Sequence, residues 1–223
     1  MLTKIARAVI VLALLMGRAD GQGRRPVRTT LRTDKASVIV DSSSDGSVQK
    51  KVKLKRRDDL RKHGLAVEAL DEEIVKCLSG ELFDIYAVEL GFSSRDVVSS
   101  AVKQHGADWS VEYQQAINGV PVCHTSVTYS IEHYGSISPF EAQYYPNIEC
   151  ETRPRTTPQQ ALDTVMQNPW WKGAHCSTPV LTIVEYERKF YLSWMIDPGL
   201  KHITAIYVSA LTGGVVKVDG WVE

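Results

Sequence analysis

Apolar positions follow the period of a helix in two stretches, Leu65–Leu78 and Ser94–His105. The apolar residues of the first stretch are Leu70, Ile74, Cys77 and Leu78. Those of the second are Val97, Val98, Ala101 and Val102. Gly80 and Gly106 follow at positions suited to end a helix, and Ser93 or Ser94 can cap the second one. We therefore predict an amphipathic helix over each stretch.

The next forty residues alternate as strands do. Trp109–Ile117 leads into Asn118-Gly119, a dipeptide typical of a tight hairpin turn because both residues accept positive φ. The returning strand, Val120–Glu132, has its apolar residues at odd positions: Cys123, Val127, Tyr129 and Ile131. A turn at Tyr134-Gly135-Ser136 precedes a third strand, Ile137–Tyr145. The pattern predicts a three-stranded antiparallel meander.

A helix followed by strands recurs in the C-terminal part. Thr157-Pro158-Gln159-Gln160 is typical of a helix start, and Ala161, Leu162, Val165 and Met166 give the apolar face. Pro169 should stop this helix. The predicted strands are Pro179–Glu187, Phe190–Asp197, His202–Ser209 and Val215–Asp219, with Phe190, Leu192, Trp194 and Ile196 on one face. We expect an α+β protein of two consecutive units, residues 48–145 and 146–223, each with a helix on an antiparallel meander.

The N-terminal segments have a different character. Residues 1–21 combine a basic start, the apolar run Ala8–Met16 and small residues, which is the layout of a secretory signal peptide. Residues 22–47 are rich in Arg and Ser and are expected to form a basic flexible arm. In Val48–Arg57, Val52 and Leu54 alternate with lysines, as in an edge strand with lysines outward. The mature chain is therefore expected to be secreted, periplasmic or extracellular, with no membrane span.

Charge is distributed unevenly along a chain whose formal net charge is zero. Residues 24–62 carry thirteen Lys/Arg against five Asp/Glu, whereas residues 63–223 carry ten against twenty. An acidic main body is poorly suited to nucleic-acid binding. The basic segment is interpreted either as a solvated linker or as an arm that docks on the acidic body or on an anionic surface.

The four cysteines are Cys77, Cys123, Cys150 and Cys176. In an oxidising compartment they could form two disulfides, with three possible pairings. A bridge between Cys150 and Cys176, which flank the predicted third helix, would stabilise the fold by about 3 kcal/mol. The alternative is buried free thiols, because Cys77 and Cys123 both fall on apolar faces.

Motifs of common hydrolases are absent from the sequence. It contains no HExxH, no GxSxG and no Gly-rich phosphate loop. Two Cys/His neighbours occur, Cys123-His124 and His175-Cys176, but adjacent residues on a strand point to opposite faces and cannot form a dyad. Asp71-Glu72-Glu73 would fan out around a helix. We predict a non-enzyme with no catalytic residue, no metal site and no cofactor.

One run resembles a known family. Tyr113-Gln114-Gln115-Ala116-Ile117-Asn118-Gly119-Val120-Pro121-Val122 is similar to a signature of the propeptides of thermolysin-like and fungalysin-like secreted metalloproteases, known as the FTP unit. The family's second unit, PepSY, is matched by the helix at Thr157–Met166 and by the Thr212-Gly213 turn between strands. The resemblance covers roughly residues 93–219. Two departures are Ser209-Ala210, where the family commonly has Asp-Ala, and the absence of a catalytic domain after Glu223.

The resemblance implies a cystatin-like fold for each unit and a role in inhibiting a secreted metalloprotease or assisting its folding. Such an inhibitor needs no reactive residue, since an extended segment can pair with the protease cleft through its main chain. We thus expect a free-standing propeptide-like protein that acts in trans. The alternative is a non-catalytic extracytoplasmic binding module that reuses the same fold.

Overall fold

A computed structural model describes residues 27–32, 36–42, 48–54, 58–64 and 70–220. The predicted signal peptide, residues 1–21, lies outside them. The described helices are α1 (Glu72–Ile85), α2 (Ala87–Leu90) and α3 (Pro158–Met166), with short 3-10 helices at Leu60–His63, Ser94–Asp96 and Pro169–Trp171. Helices and antiparallel sheets together make this an α+β protein, as predicted.

Two antiparallel sheets organise these elements. The first contains β1 (Val27–Arg32), β2 (Ala36–Ser42), β3 (Val48–Leu54), β4 (Asp58–Asp59), β5 (Val97–His105), β6 (Asp108–Ile117), β7 (Val120–Pro121), β8 (Ser126–Ile131), β9 (Ser136–Ile137) and β10 (Glu141–Tyr144). Its main order is β1-β2-β3-β10-β8-β6-β5. The second contains β11 (Val180–Tyr186), β12 (Lys189–Ile196), β13 (Ile203–Ser209) and β14 (Val215–Gly220), in chain order.

The N-terminal part is more structured than its composition suggests. Residues 27–32 and 36–42 of the expected flexible arm are strands β1 and β2, so that prediction is wrong for these residues. Strand β2 pairs with β3, which places β3 between β2 and β10, inside the sheet rather than at an edge. The predicted alternation does hold in β3, where Val52 is buried and Lys51 and Lys53 are exposed.

The first predicted helix is shifted along the chain. It begins after Asp71, whose side chain accepts a hydrogen bond from the Ile74 N–H, and it continues through Gly80 to Ile85. Residues 65–69 of the prediction lie outside the described part. Gly80 does not end the helix but lies within it, at a position where a Cβ would make only an ordinary van der Waals contact, 4.0 Å from Cβ of Ser94.

The second predicted helix is wrong. After the 3-10 turn at Ser94–Asp96, residues 97–105 form strand β5. A register shift between Ser99 and Ala101 leaves an extra residue in β5, so that Val97 and Val102, five positions apart, both pack against the core. This bulge breaks the two-residue period of a strand, and the resulting apolar spacing imitates that of a helix.

The first core lies between α1 and the sheet. Phe83 of α1 is fully buried and meets the ring of Tyr113 edge-on, with 4.9 Å between ring centroids. Tyr129 and Phe140 complete the aromatic cluster, and the centroid of each of these rings is 6.0 Å from that of Phe83. The predicted strand Val120–Glu132 is interrupted at residues 122–125, yet Cys123, Val127, Tyr129 and Ile131 are all buried, as their odd positions indicate.

The second core confirms the C-terminal predictions closely. Thr157 and Gln160 form a capping box at the start of α3, with Pro158 at the first helical position. Ala161 and Val165 of α3 are buried in a cluster with Leu192, Trp194 and Ile196 of β12 and Ile206 of β13. Met166, by contrast, is 58% exposed. Helix α3 therefore covers one face of the second sheet.

Candidate functional site

The propeptide-like run lies where the first sheet meets the second. Its strand, β6, ends in the Asn118-Gly119 turn, where both residues have positive φ (51° and 82°), as predicted. Beyond the turn, Val122 forms a parallel bridge with Ile183 of β11, and the N–H of Cys123 donates to the Ile183 carbonyl at 2.8 Å. The run thus joins the two sheets through main-chain pairing.

Gln115 is the buried polar residue of this junction. Its Nε2 donates to the Tyr145 carbonyl at 2.8 Å, and its Oε1 accepts from the Tyr145 N–H at 2.9 Å. Its own backbone N–H donates to Oγ1 of Thr125, and its carbonyl accepts from the Val122 N–H. The role of this Gln is therefore to hold the end of β10 and residues 122–125 against β6.

The remaining motif residues also make structural contacts. Tyr113 packs in the first core, and Gln114 lies half-buried on the opposite face of β6. Asn118 Nδ2 donates to Thr152 Oγ1 at 3.1 Å, and the Pro121 carbonyl accepts from Thr182 Oγ1 at 2.9 Å.

The second motif joins the turn before β14 to helix α3. Gly213 has a φ of 78°, and its carbonyl accepts from Thr164 Oγ1 at 3.1 Å. The N–H of Thr212 donates to Ser209 Oγ at 3.2 Å. These contacts give both motifs a structural role in the chain's own fold.

Cys123 and His124 lie in a polar cluster on the face of the second sheet opposite α3. The Cys123 sulfur is 3.1 Å from Thr182 Oγ1, and the His124 ring is 3.5 Å from the Asp219 carboxylate. His124 has a φ of 59°, so the chain is not a strand there, and the strand-geometry argument against a Cys–His pair does not apply at this point. The sequence did not indicate that Asp219, Tyr207 and Lys217 would join them.

The electrostatics of this cluster favour a neutral thiol. Burial raises the pKa of Cys123, although hydrogen bonds with Thr182 and Tyr207 act in the opposite direction. Burial would also raise the pKa of Asp219, but the hydrogen bond and charge of Lys217, 3.0 Å away, lower it overall. A protonated thiol is a poor nucleophile, and the contacts of Cys123 with Ile183 and Thr182 of β11 join this segment to the second sheet.

The other cysteines are also free thiols. All four lie in described segments and none forms a disulfide, so the possible bridges, including Cys150–Cys176, are not formed. Cys123 is buried, as the alternative expected, but Cys77 is exposed on α1 because the burial of the helix centres on Val75, Leu78 and Leu82.

Acidic and histidine side chains have local partners. Asp71 caps α1, Glu72 pairs with Lys76 one turn later, and His133 lies against Asp108 at 3.4 Å. Across the described part of the chain, no group of three or more His, Cys, Asp or Glu side chains could hold a metal ion. Within the same residues, none of the helices has the length and apolar character needed to cross a membrane.

An open groove lies on the face of the first sheet opposite α1. It has a volume of about 540 Å³ and crosses strands β3, β10, β8, β6 and β5. Its floor carries small hydroxyl side chains: Ser110, Thr128, Ser130 and Ser138. These residues alternate with buried core residues along each strand, which is the one sequence signal that could have located the groove.

Charged residues border the groove on both sides. Lys53 and Glu141 form an ion pair between β3 and β10. On the opposite side, β5 contributes Lys103 and His105, and the His105 ring nitrogen is 3.0 Å from Ser110 Oγ. Strand β5 pairs only with β6 among the described strands, and its residues Ala101, Lys103 and His105 line the groove.

Comparison with known proteins gives little support for a family. No protein-family model and no curated protein matches the chain. Among solved structures, the chain is similar to the Bacillus megaterium YpeB C-terminal domain, with 14% sequence identity and a TM-score of 0.37. That match covers 98% of this chain and 97% of the other. A likeness this weak carries no argument about family or function.

Proposed function

We propose that this protein is a non-catalytic binding protein that acts in trans on a secreted metalloprotease, inhibiting it or assisting its folding. The observation that carries the binding role is the open groove lined in part by β5, a strand that pairs with only one other described strand. The partner class is proposed from the resemblance of residues 113–122 to protease propeptides. In this proposal the two helix-and-sheet units, residues 48–145 and 146–223, correspond to the two cystatin-like units of such propeptides, and residues 1–21 direct export.

Strand β5 supplies a surface for an extended segment of the partner. Eight of its nine residues pair with β6 on one side, and no other described strand pairs with the opposite edge, where main-chain donors and acceptors can meet a partner. A partner strand can add there through its backbone, while side chains over the groove provide specificity. Lys103 and His105 favour a partner segment that carries carboxylates.

Charge complementarity extends beyond the groove. The acidic excess of residues 63–223 favours a catalytic domain whose contact surface is basic outside the docking segment. A protein that acts in trans lacks the high effective concentration of a tethered propeptide, so in this proposal the affinity must come from this interface alone.

The test uses the mature protein and a panel of thermolysin-like catalytic domains. We expect slower substrate cleavage, or a higher yield of refolded protease, when the protein is added. Full protease activity at micromolar excess across the panel, together with an unchanged refolding yield, would contradict the proposal.

A charge-reversal variant tests the docking surface. K103E should weaken binding by about tenfold or more, because it reverses the charge beside the docking strand. The control is K189E, which changes an exposed lysine on the second sheet. Equal inhibition by the wild type and K103E would place the interface elsewhere on the molecule.

A further inference from the structure

Two sulfur atoms meet on the surface at the end of helix α3. Met166 is the last residue of α3, and Cys176 lies ten residues later, before β11. The chain between them folds back through the 3-10 turn Pro169–Trp171, and the Cys176 thiol points at the Met166 thioether with 3.9 Å between Sγ and Sδ. Neither sulfur belongs to the Cys123 cluster or to the groove.

The backbone on each side of Cys176 is held in place. The His175 N–H donates to the Pro198 carbonyl at 2.9 Å, and the Ser177 N–H donates to the Asp197 carbonyl at 2.8 Å. Met166 is positioned by α3, whose Val165 is fully buried in the second core. The two sulfur atoms are therefore brought together by separate, ordered elements.

We propose that Cys176 and Met166 form a binding site for monovalent copper, Cu(I). A thiolate and a thioether are soft donors, and this donor pair selects Cu(I) over harder divalent ions. With metal–sulfur bonds of about 2.3 Å, sulfur atoms 3.9 Å apart subtend roughly 115° at the metal. That angle suits a trigonal ion, so both sulfurs can bind with little movement and a third position remains for another ligand.

The surroundings are compatible with a cation that enters from solvent. Met166 is 58% exposed and Cys176 is half-buried, so the space between the sulfurs is accessible. Burial, and then the negative charge of Asp197, raise the pKa of the Cys176 thiol, which is therefore protonated before metal binds. As the copper–sulfur bond forms, the thiol proton passes to solvent and Cu(I) takes its place between the two sulfurs.

The main test is an anaerobic titration of the reduced mature protein with Cu(I), in competition with a chromophoric Cu(I) chelator. We expect the wild type to retain a single equivalent at this site and C176S to lose it. M166L, which keeps the size and apolar character of the side chain, should weaken binding by about tenfold. The matched control is C77S, which removes the exposed thiol of α1 and should bind as the wild type does.

A second measurement does not depend on any variant. Ag(I), a soft monovalent ion that is stable in air, should shift the methyl resonance of Met166 in protein labelled with [methyl-¹³C]methionine, whereas Zn(II) should not. Retention of the equivalent by C176S, equal affinity of M166L and wild type, or an unchanged Met166 resonance would each overturn the proposal. Circular dichroism of every variant checks that the fold is preserved.

Discussion

The side-chain amide of Gln115 forms two hydrogen bonds with the backbone of Tyr145, one through each polar atom. Both residues are buried, so no solvent replaces these bonds if the amide is removed. Because Tyr145 follows β10 and belongs to the second core, this contact links the strands of the first sheet to the C-terminal part.

Replacing this amide should destabilise the protein strongly. Q115L removes both of these hydrogen bonds to the buried Tyr145 backbone, which should lower the free energy of unfolding by about 1–3 kcal/mol. The control is Q114L, on the half-buried outer face of the same strand, where a smaller change is expected. Urea denaturation measures both. Equal losses for the two variants would contradict the structural role assigned to Gln115.

Alanine variants of Gly91 and Gly119 separate the cost of backbone strain from the cost of a steric clash. Both have positive φ (81° and 82°), but a Cβ on Gly91 would lie 2.6 Å from the Tyr144 hydroxyl, whereas Gly119 faces open space. Backbone strain should lower the free energy of unfolding of each alanine variant by about 1–2 kcal/mol. The loss should be larger for G91A because of the clash with Tyr144. Thermal unfolding of the two variants checks the order, and a G119A that is less stable than G91A would contradict it.

Asp219 should make stability depend on acid pH. Its pKa is lower in the folded protein than its ordinary value of 3.8, so its contribution is fully present above that value and is lost as the pH falls through the folded-state pKa. D219N should therefore lose less stability than the wild type when the pH is lowered from about 5 to about 2. Chemical denaturation across this range measures the free energy of unfolding at each pH. The control is D163N, which changes an exposed residue of α3. Parallel curves for D219N and wild type would contradict the prediction.

The cysteines should react with alkylating agents in a definite order. Cys77 is exposed, whereas Cys123 is buried and has a raised pKa. We expect iodoacetamide to modify Cys77 at least about tenfold faster than Cys123 under native conditions, because the reaction needs an accessible thiolate. Mass spectrometry of peptides over time gives the two rates. Faster modification of Cys123 would indicate an activated thiol and would contradict a non-catalytic cluster.

Local signals predicted the parts of the fold that depend on neighbouring residues. The capping box at Thr157 and Gln160 and the Asn118-Gly119 turn satisfy hydrogen bonds or φ angles within a few residues, so their sequences are sufficient. Strands β11–β14 form a meander of adjacent strands, and their alternation was correctly interpreted.

Features that join distant residues could not be obtained in this way. The bulge in β5 gave a helical spacing, and only pairing with β6 shows that Val97 and Val102 share a face. The composition of residues 22–47 suggested a flexible arm, and only the pairing of β1 with β2 and of β2 with β3 shows that residues 27–32 and 36–42 are strands. The meeting of Met166 with Cys176 and of His124 with Asp219 depends on how whole elements pack, since the spacing of residues along the chain does not specify contacts between separate elements.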